Sequence, residues 1–257
     1  MEEARKDWAS AYEKAKRDLE REIRDIDIFD CNVAKFLSEF FKAGHLVLEA
    51  GCGTGRFCFW LNKKGVSCVG IDIVPEIVKK AAFYAKEKGL PTQFIIADVC
   101  NLPLRDESID GYISLGVVEH FRSAVEVIKA FKECRRVLKK RGQALITIPN
   151  IFVPLRNRLL LYISRGRIGM FHKAYTKKTF YRFGRIIGSG VKVEVFDLWL
   201  PIYNILDGVL KMLGINEKTR RQIRFAFTRL PQQPSLLKHF LGYIYIIANK
   251  PALYFEQ

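Results

Sequence analysis

Val47-Leu48-Glu49-Ala50-Gly51-Cys52-Gly53-Thr54-Gly55-Arg56-Phe57 is the stretch whose reading decides the fold. Leu46, Val47 and Leu48 form a short apolar run, as expected of a parallel strand covered on both faces. Gly51, Gly53 and Gly55 then allow positive φ and a close approach of a ligand to the backbone. The helix that begins next aims its free N–H groups at an anionic group of that ligand. A dinucleotide fingerprint starting at Gly51 and Gly53 wants a third small residue at position 56, for close packing of helix on strand. Arg56 stands there instead. A tight structural turn is the plainer alternative.

Downstream, strands and helices alternate. Phe57 to Lys64 continues the first helix and Gly65 ends it. Val66 to Ile71 reads as a second strand, with Asp72 at its tip, 21 residues past Gly51. An acid there can accept hydrogen bonds from two vicinal ribose hydroxyls. Pro75 opens a helix running to Lys88, so capping is the competing role for Asp72. Thr92 to Ala97 is a third strand ending at Asp98-Val99, an acid beside an apolar residue, which suits the amine and the face of a purine. Asp106 to Asp110 is a polar turn into a fourth strand, Gly111 to Leu115. Then come Gly116-Val117-Val118-Glu119-His120-Phe121, a helix over about 123–138, a turn at Lys140-Arg141-Gly142 and a fifth strand, Gln143 to Ile148. This pattern predicts a parallel sheet with helices on both faces. Ligands in such sheets lie beyond the carboxyl ends of the strands, where Glu49, Asp72, Asp98 and Gly116 fall.

Glu-x-Gly-x-Gly-x-Gly, Gly-Ile-Asp, Ala-Asp-Val, Leu-Pro with Ser-Ile-Asp downstream, and Val-x-Glu-His-Phe follow one another in order. Together they resemble the class I S-adenosylmethionine-dependent methyltransferases. Within these the chain is most similar to the branch holding ubiquinone and menaquinone biosynthesis enzymes and many small-molecule O- and C-methyltransferases. The resemblance spans about residues 45–150. It implies an α/β, Rossmann-like, seven-stranded and mostly parallel sheet with an inserted, mainly helical cap. It implies S-adenosyl-L-methionine as cofactor, with Glu49, Gly51, Cys52 and Gly53 along the methionine end and Asp72 and Ile73 on the ribose. Asp98 and Val99 fall to the adenine, and Leu115 and Gly116 flank the sulfonium.

The chain has 257 residues and a formal net charge of +16, an excess that suggests an anionic partner. Residues 151–240 carry 17 Lys/Arg against 4 Asp/Glu, and the rest 26 against 23, so the basic character belongs to the later segment. The six cysteines lack metal-ligand spacing, so no metal site is expected and reduced thiols in the cytoplasm are the simplest account. The charged N-terminus argues against a signal peptide. No apolar run is long enough to span a membrane.

The expected organisation is N-terminal helices over 1–44, a cofactor-binding core over 45–150, a basic and apolar cap with a sixth strand over 151–240, and a final edge strand with a tail over 241–257. In the first segment Trp8, Tyr12, Ala15, Leu19, Ile23 and Ile26 recur at helical steps, as a helix packed on the domain or a lid over the cofactor. In the cap, Thr176 is a candidate N-cap for a helix over 177–187. Residues 198–215 form a helix with a narrow polar stripe, which suits core packing, the wall of an apolar substrate site, or an interfacial helix. The basic residues after it suit acidic headgroups.

Methyl transfer requires the nucleophile to be held opposite the sulfur, with a base only where a proton must leave. His120 is the first candidate base, Glu119 the second and His172 a weaker third; bracing the loop and capping the next helix is the competing role of the first two. A small-molecule or lipid-like acceptor is the favoured reading, with peripheral contact to an acidic membrane surface. An RNA methyltransferase using the basic cap is the alternative. Nucleic acid ranks lower because the arginines interleave with aliphatics rather than stacking aromatics, and Ile-Pro-Asn stands at 148–150 in place of the Asn/Asp-Pro-Pro-Tyr type of motif. A cofactor-binding fold without catalysis is the third reading, opposed by the intact Gly51–Gly55 turn and Asp72.

Overall fold

A computed structural model of the chain describes residues 5–6, 8–10, 19–29, 31–149, 173, 175–196, 199–228 and 243–251. Strands β1 (Leu46–Ala50), β2 (Ser67–Asp72), β3 (Gln93–Ile96), β4 (Ile109–Leu115) and β5 (Leu138–Pro149) run parallel. With β6 (Gly190–Phe196) and β7 (Tyr243–Asn249) they form one seven-stranded sheet in the order β3-β2-β1-β4-β5-β7-β6. The helices are α1 (Leu19–Phe29), α2 (Cys31–Phe40), α3 (Arg56–Lys63), α4 (Pro75–Glu87), α5 (Ala124–Val137), α6 (Lys177–Ile187), α7 (Trp199–Met212) and α8 (Glu217–Thr228).

The period-two alternation of the buried strands divides the core into two layers. Val47, Ile113 and Leu145 pack with Leu37, Phe59 and Trp60 from the α2 and α3 side. Their chain neighbours Leu48, Tyr112 and Ala144 pack with Phe131 of α5 and Phe180 of α6 on the other face. The two phenylalanine rings meet edge-on at 6.0 Å. Each such fully buried apolar side chain contributes roughly 1.5–3 kcal/mol.

Two strand expectations need correction. The last strand is antiparallel but does not lie at the edge: β7 pairs with both β5 and β6, and β6 takes the edge. Placed there, β7 has both backbone edges paired, and the open edge falls to β6, where the exposed Lys192 is of the kind that blunts edge pairing. The turn expected at Lys140-Arg141-Gly142 lies within β5 as an irregularity. Arg141 has φ 64 there, and the register against β4 shifts between Ile109 and Gly111, as a bulge does.

Local signals place the helices. Thr176 Oγ1 accepts from the Thr179 N–H at 3.2 Å, so Thr176 is the N-cap of α6. Helix α5 is capped by neither Glu119 nor His120. A capping box does it: Ser123 Oγ accepts from Glu126 N–H at 3.2 Å, and Glu126 Oε2 from Ser123 N–H at 3.0 Å. The Ser-x-x-Glu spacing carried that signal. The helix expected over 198–215 is present as α7, followed by α8, which packs on α7 and α1. The mixed stretch 151–170, His172 and the loop with Pro231 and Pro234 lie outside the described residues.

Candidate active site

The strand order reverses between β1 and β4, because β1 leads outward to β2 and β4 leads the other way. A crevice opens at such a switch point, beyond the strand tips. The glycine turn after β1 is pulled toward β2 by two backbone bonds: Gly51 N–H and Cys52 N–H both donate to Ile71 O, at 2.7 and 2.9 Å. Gly51 has φ +75, and a Cβ there would overlap Val117 Cγ2. Both observations demand glycine. Gly55, also left-handed, opens α3 as its N-cap.

Three carboxylates converge on this turn from successive strands. Asp72 closes β2; its Oδ2 accepts from Gly53 N–H at 2.9 Å and its Oδ1 from Val74 N–H at 3.0 Å. It therefore braces the turn and the approach to α4 together. Glu49, on β1, is 4% exposed, and its Oε2 accepts from Cys58 N–H at 3.0 Å. Burial pushes its carboxyl up to about 7 against that bond, and raises Asp72 from its ordinary range as well. Asp98 follows β3, with Oδ1 accepting from Cys100 N–H at 2.9 Å. Each carboxylate has about four acceptor positions, so all three retain capacity for a ligand.

They surround a cavity of about 350 Å³, within the range of small-molecule and cofactor sites. Glu49, Gly51, Cys52, Gly53, Asp72, Ile73, Asp98, Val99, Leu115, Gly116 and His120 all line it. Glu119 does not. It lies in the 3₁₀ turn Val118–His120, 4% exposed, on the interior side of the loop that brings His120 to the wall. Among the described residues its Oε2 is buried without a hydrogen-bond partner, as is the Tyr175 hydroxyl. Burial pushes the Glu119 carboxyl up to about 8. Of the two candidate bases after β4, His120 lines the cavity and Glu119 does not.

The wall also includes residues that strand-tip reasoning missed. Trp8 stands edge-on to His120 with ring centroids 4.6 Å apart. Arg56, Phe57, Arg122 and Glu126 line the cavity too. The N-terminal segment is tied in by Thr54 Oγ1, which donates to Glu22 Oε2 at 3.0 Å. Trp8 was legible only as one point on an apolar stripe, and nothing local told a packed helix from one that walls a site.

A pocket of acceptor oxygens with apolar faces between them suits a cationic ligand rich in hydroxyls and carrying a flat ring. That is the chemistry of a nucleoside sulfonium. The fold is that of the class I S-adenosylmethionine-dependent methyltransferases, and S-adenosyl-L-methionine is the cofactor. Residues 48–146 match the family of the methyltransferase domain. The chain is 30% identical over 189 residues to the uncharacterized protein MJ0638 of Methanocaldococcus jannaschii, covering 67% of this chain and 76% of that one. It is 38% identical over 116 residues to the probable tRNA methyltransferase 9B of Homo sapiens, covering 45% of this chain. The chain spans about a quarter of that relative's length, 24%. In fold it is similar to phosphoethanolamine N-methyltransferase 2 of Haemonchus contortus in complex with S-adenosyl-L-methionine. That likeness has a TM-score of 0.58 at 18% identity and covers 87% of this chain and 53% of the other.

Proposed function

We propose that this chain transfers a methyl group from S-adenosyl-L-methionine to a small-molecule or lipid-like acceptor, as does the small-molecule branch that its motifs over about residues 45–150 resemble. The observation that carries the reading is the convergence of Glu49, Asp72 and Asp98 on one cavity beside a turn with no room for a side chain at Gly51. In this reading Glu49, Gly51, Cys52 and Gly53 hold the methionine end, Asp72 and Ile73 the ribose, Asp98 and Val99 the adenine. Leu115 and Gly116 flank the sulfur. When bound, the cofactor supplies an electrophilic methyl group on a positively charged sulfur. Glu49, kept near neutrality by burial, ionises most readily when a cationic amine lies beside it. Trp8 and Phe57 narrow water's access to the cavity they line. His120 takes the acceptor's proton at the wall next to Gly116.

The segment 151–240 forms the acceptor-binding cap in this proposal. Support for a greasy acceptor comes from α7, whose end leaves Met212 and Leu213 69% and 70% exposed beside Lys211 and the basic α8. The same surface suits peripheral contact with an acidic membrane. The five described free cysteines fit a reducing cytoplasm. Among the described residues no helix is long and apolar enough to cross a bilayer.

An RNA acceptor is the second reading. It is favoured by the relative named as a tRNA methyltransferase and by the +16 charge, which would neutralise phosphates. One experiment addresses both. The chain is incubated with methyl-labelled cofactor and, separately, quinone precursors, acidic lipid extract and total tRNA, with binding followed against salt. Label in the organic extract supports the first reading. Label in tRNA, with binding that falls steeply with salt, replaces it with the second. No S-adenosylhomocysteine binding by calorimetry would remove both.

A further inference from the structure

Beneath the floor of the cavity the fold assembles a group that the residue spacing hid. Glu49 of β1, Cys58 of α3 and Cys68 of β2 each bring a ligand atom to within 4.8 Å of the other two. We propose that these three residues form a binding site for one soft, thiophilic divalent cation, of the zinc or cadmium kind. No two of them lie closer than nine residues in sequence, so a search for Cys-x-x-Cys spacing passes over them.

The geometry comes close to what such a cation needs. Tetrahedral zinc with bonds of about 2.3 Å to sulfur holds two sulfurs roughly 3.8 Å apart. Every pair of these atoms lies within 4.8 Å, so any contraction is at most about an ångström, within reach of side-chain rotation. The elements are rigid: β1 and β2 are paired strands in register, and α3 starts directly off the glycine turn. The Cys58 N–H already holds Glu49 Oε2 at 3.0 Å, an orienting contact of the kind that tunes metal ligands. Two sulfurs and one carboxylate favour zinc or cadmium over magnesium or calcium, which take oxygen alone. A water can supply the fourth ligand.

Thiol chemistry without a cation is a poorer account of the group. Cys58 and Cys68 are 0% and 2% exposed, and burial raises both thiols above their ordinary range. Protonated, sequestered thiols are weak nucleophiles. A divalent cation changes this, because coordination favours the thiolate outright. On binding, each thiol gives its proton to solvent as a sulfur lone pair forms the bond to the metal. Uptake therefore releases two protons, and a third where Glu49 is protonated.

Access is through the cavity, since Glu49 and Cys52 line it. A cation on Glu49 and a cofactor held by Glu49 then exclude one another. This half of the inference rests on the proposed role of Glu49 at the methionine end; the site itself does not.

The test uses the reduced, chelator-treated full chain titrated with Cd²⁺, reading thiolate-to-cadmium charge-transfer absorption. One equivalent per chain is expected, with no change on adding Mg²⁺. The Cys58→Ala/Cys68→Ala variant should lose the band, and Cys134→Ala, whose thiol is buried in the opposite layer, should keep it. Circular dichroism checks that the double variant folds, and single Cys68→Ala serves where it does not, with an expected loss of at least tenfold in affinity. Absence of the band in the native chain, or its retention in the cysteine variants, overturns the site. Saturating S-adenosylhomocysteine should block the titration. If calorimetry shows that it binds while Cd²⁺ enters unimpeded, the shared-floor half fails and the site stands. If it does not bind at all, the cofactor reading fails and the cysteine variants still decide the site.

Discussion

The two sides of the cavity are built differently. Around the tips of β1, β2 and β3, every acid is tied to backbone: Glu49 to Cys58, Asp72 to Gly53 and Val74, Asp98 to Cys100. Behind the tip of β4, Glu119 and Tyr175 keep buried polar atoms with no partner among the described residues. Orphaned buried groups cost about 1–3 kcal/mol each, and natural folds hold few of them. The contrast separates a side organised before any ligand arrives from one whose polar groups are still unsatisfied. The first is what binding a fixed cofactor requires. In the proposed function the second lies behind the wall that meets the acceptor.

The harshest way to break the organised side is Gly51→Ala. Its Cβ would overlap Val117 and its backbone would be held at φ +75. Either the turn or Val117 must move, so S-adenosylhomocysteine affinity should fall a hundredfold or more in calorimetry. Affinity within a few-fold of the native chain would mean that the turn does not touch the ligand. Asp72→Ala is next. It removes the proposed ribose acceptor and leaves the Gly53 and Val74 N–H groups without theirs, so binding should weaken at least tenfold. Unchanged affinity would reduce Asp72 to a turn brace. On the other side, His120→Ala should leave cofactor affinity within about twofold while turnover drops at least tenfold, in line with the 10²–10⁴ range for acid–base groups. Equal loss in both would recast His120 as a wall residue that Trp8 stacks against.

How much of this was legible follows the same division. The glycine turn, Asp72 and Asp98 announce themselves because their roles are set by chain neighbours: a strand end, a turn, a helix start. The sheet order beyond β5 was not, since whether Tyr243–Asn249 lies inside or outside Gly190–Phe196 depends on pairing between segments about 50 residues apart. Glu119 and His120 are adjacent in sequence and carry the same local signal. The 3₁₀ turn sends one into the interior and the other to the cavity, and only the fold decides which. Cys58 and Cys68 likewise have no common sequence signal; α3 lying on β2 brings them together.

Glu119 gives the gentlest probe of the comparison, because it should leave the cofactor untouched. Its carboxyl is pushed up to about 8 by burial, against an ordinary glutamate near 4.3 in the unfolded chain. Between those values the folded state binds the extra proton and the unfolded state does not. Stability from this group is therefore complete below about pH 4.3 and declines as pH rises toward 8, by roughly 3–5 kcal/mol in all. Glu49 adds a slope of the same sign that ends near 7. Glu119→Gln removes the ionisation and keeps the shape. Urea unfolding at pH 9 should find the variant more stable than the native chain by about 2–4 kcal/mol. Near pH 5 the two should be nearly equal, and S-adenosylhomocysteine affinity should stay within about twofold. A variant that is less stable at both pH values would mean that Glu119 is ionised and paired in the folded protein. The polar atoms behind β4 would then be as well organised as those around β1, and the difference between the two sides would vanish.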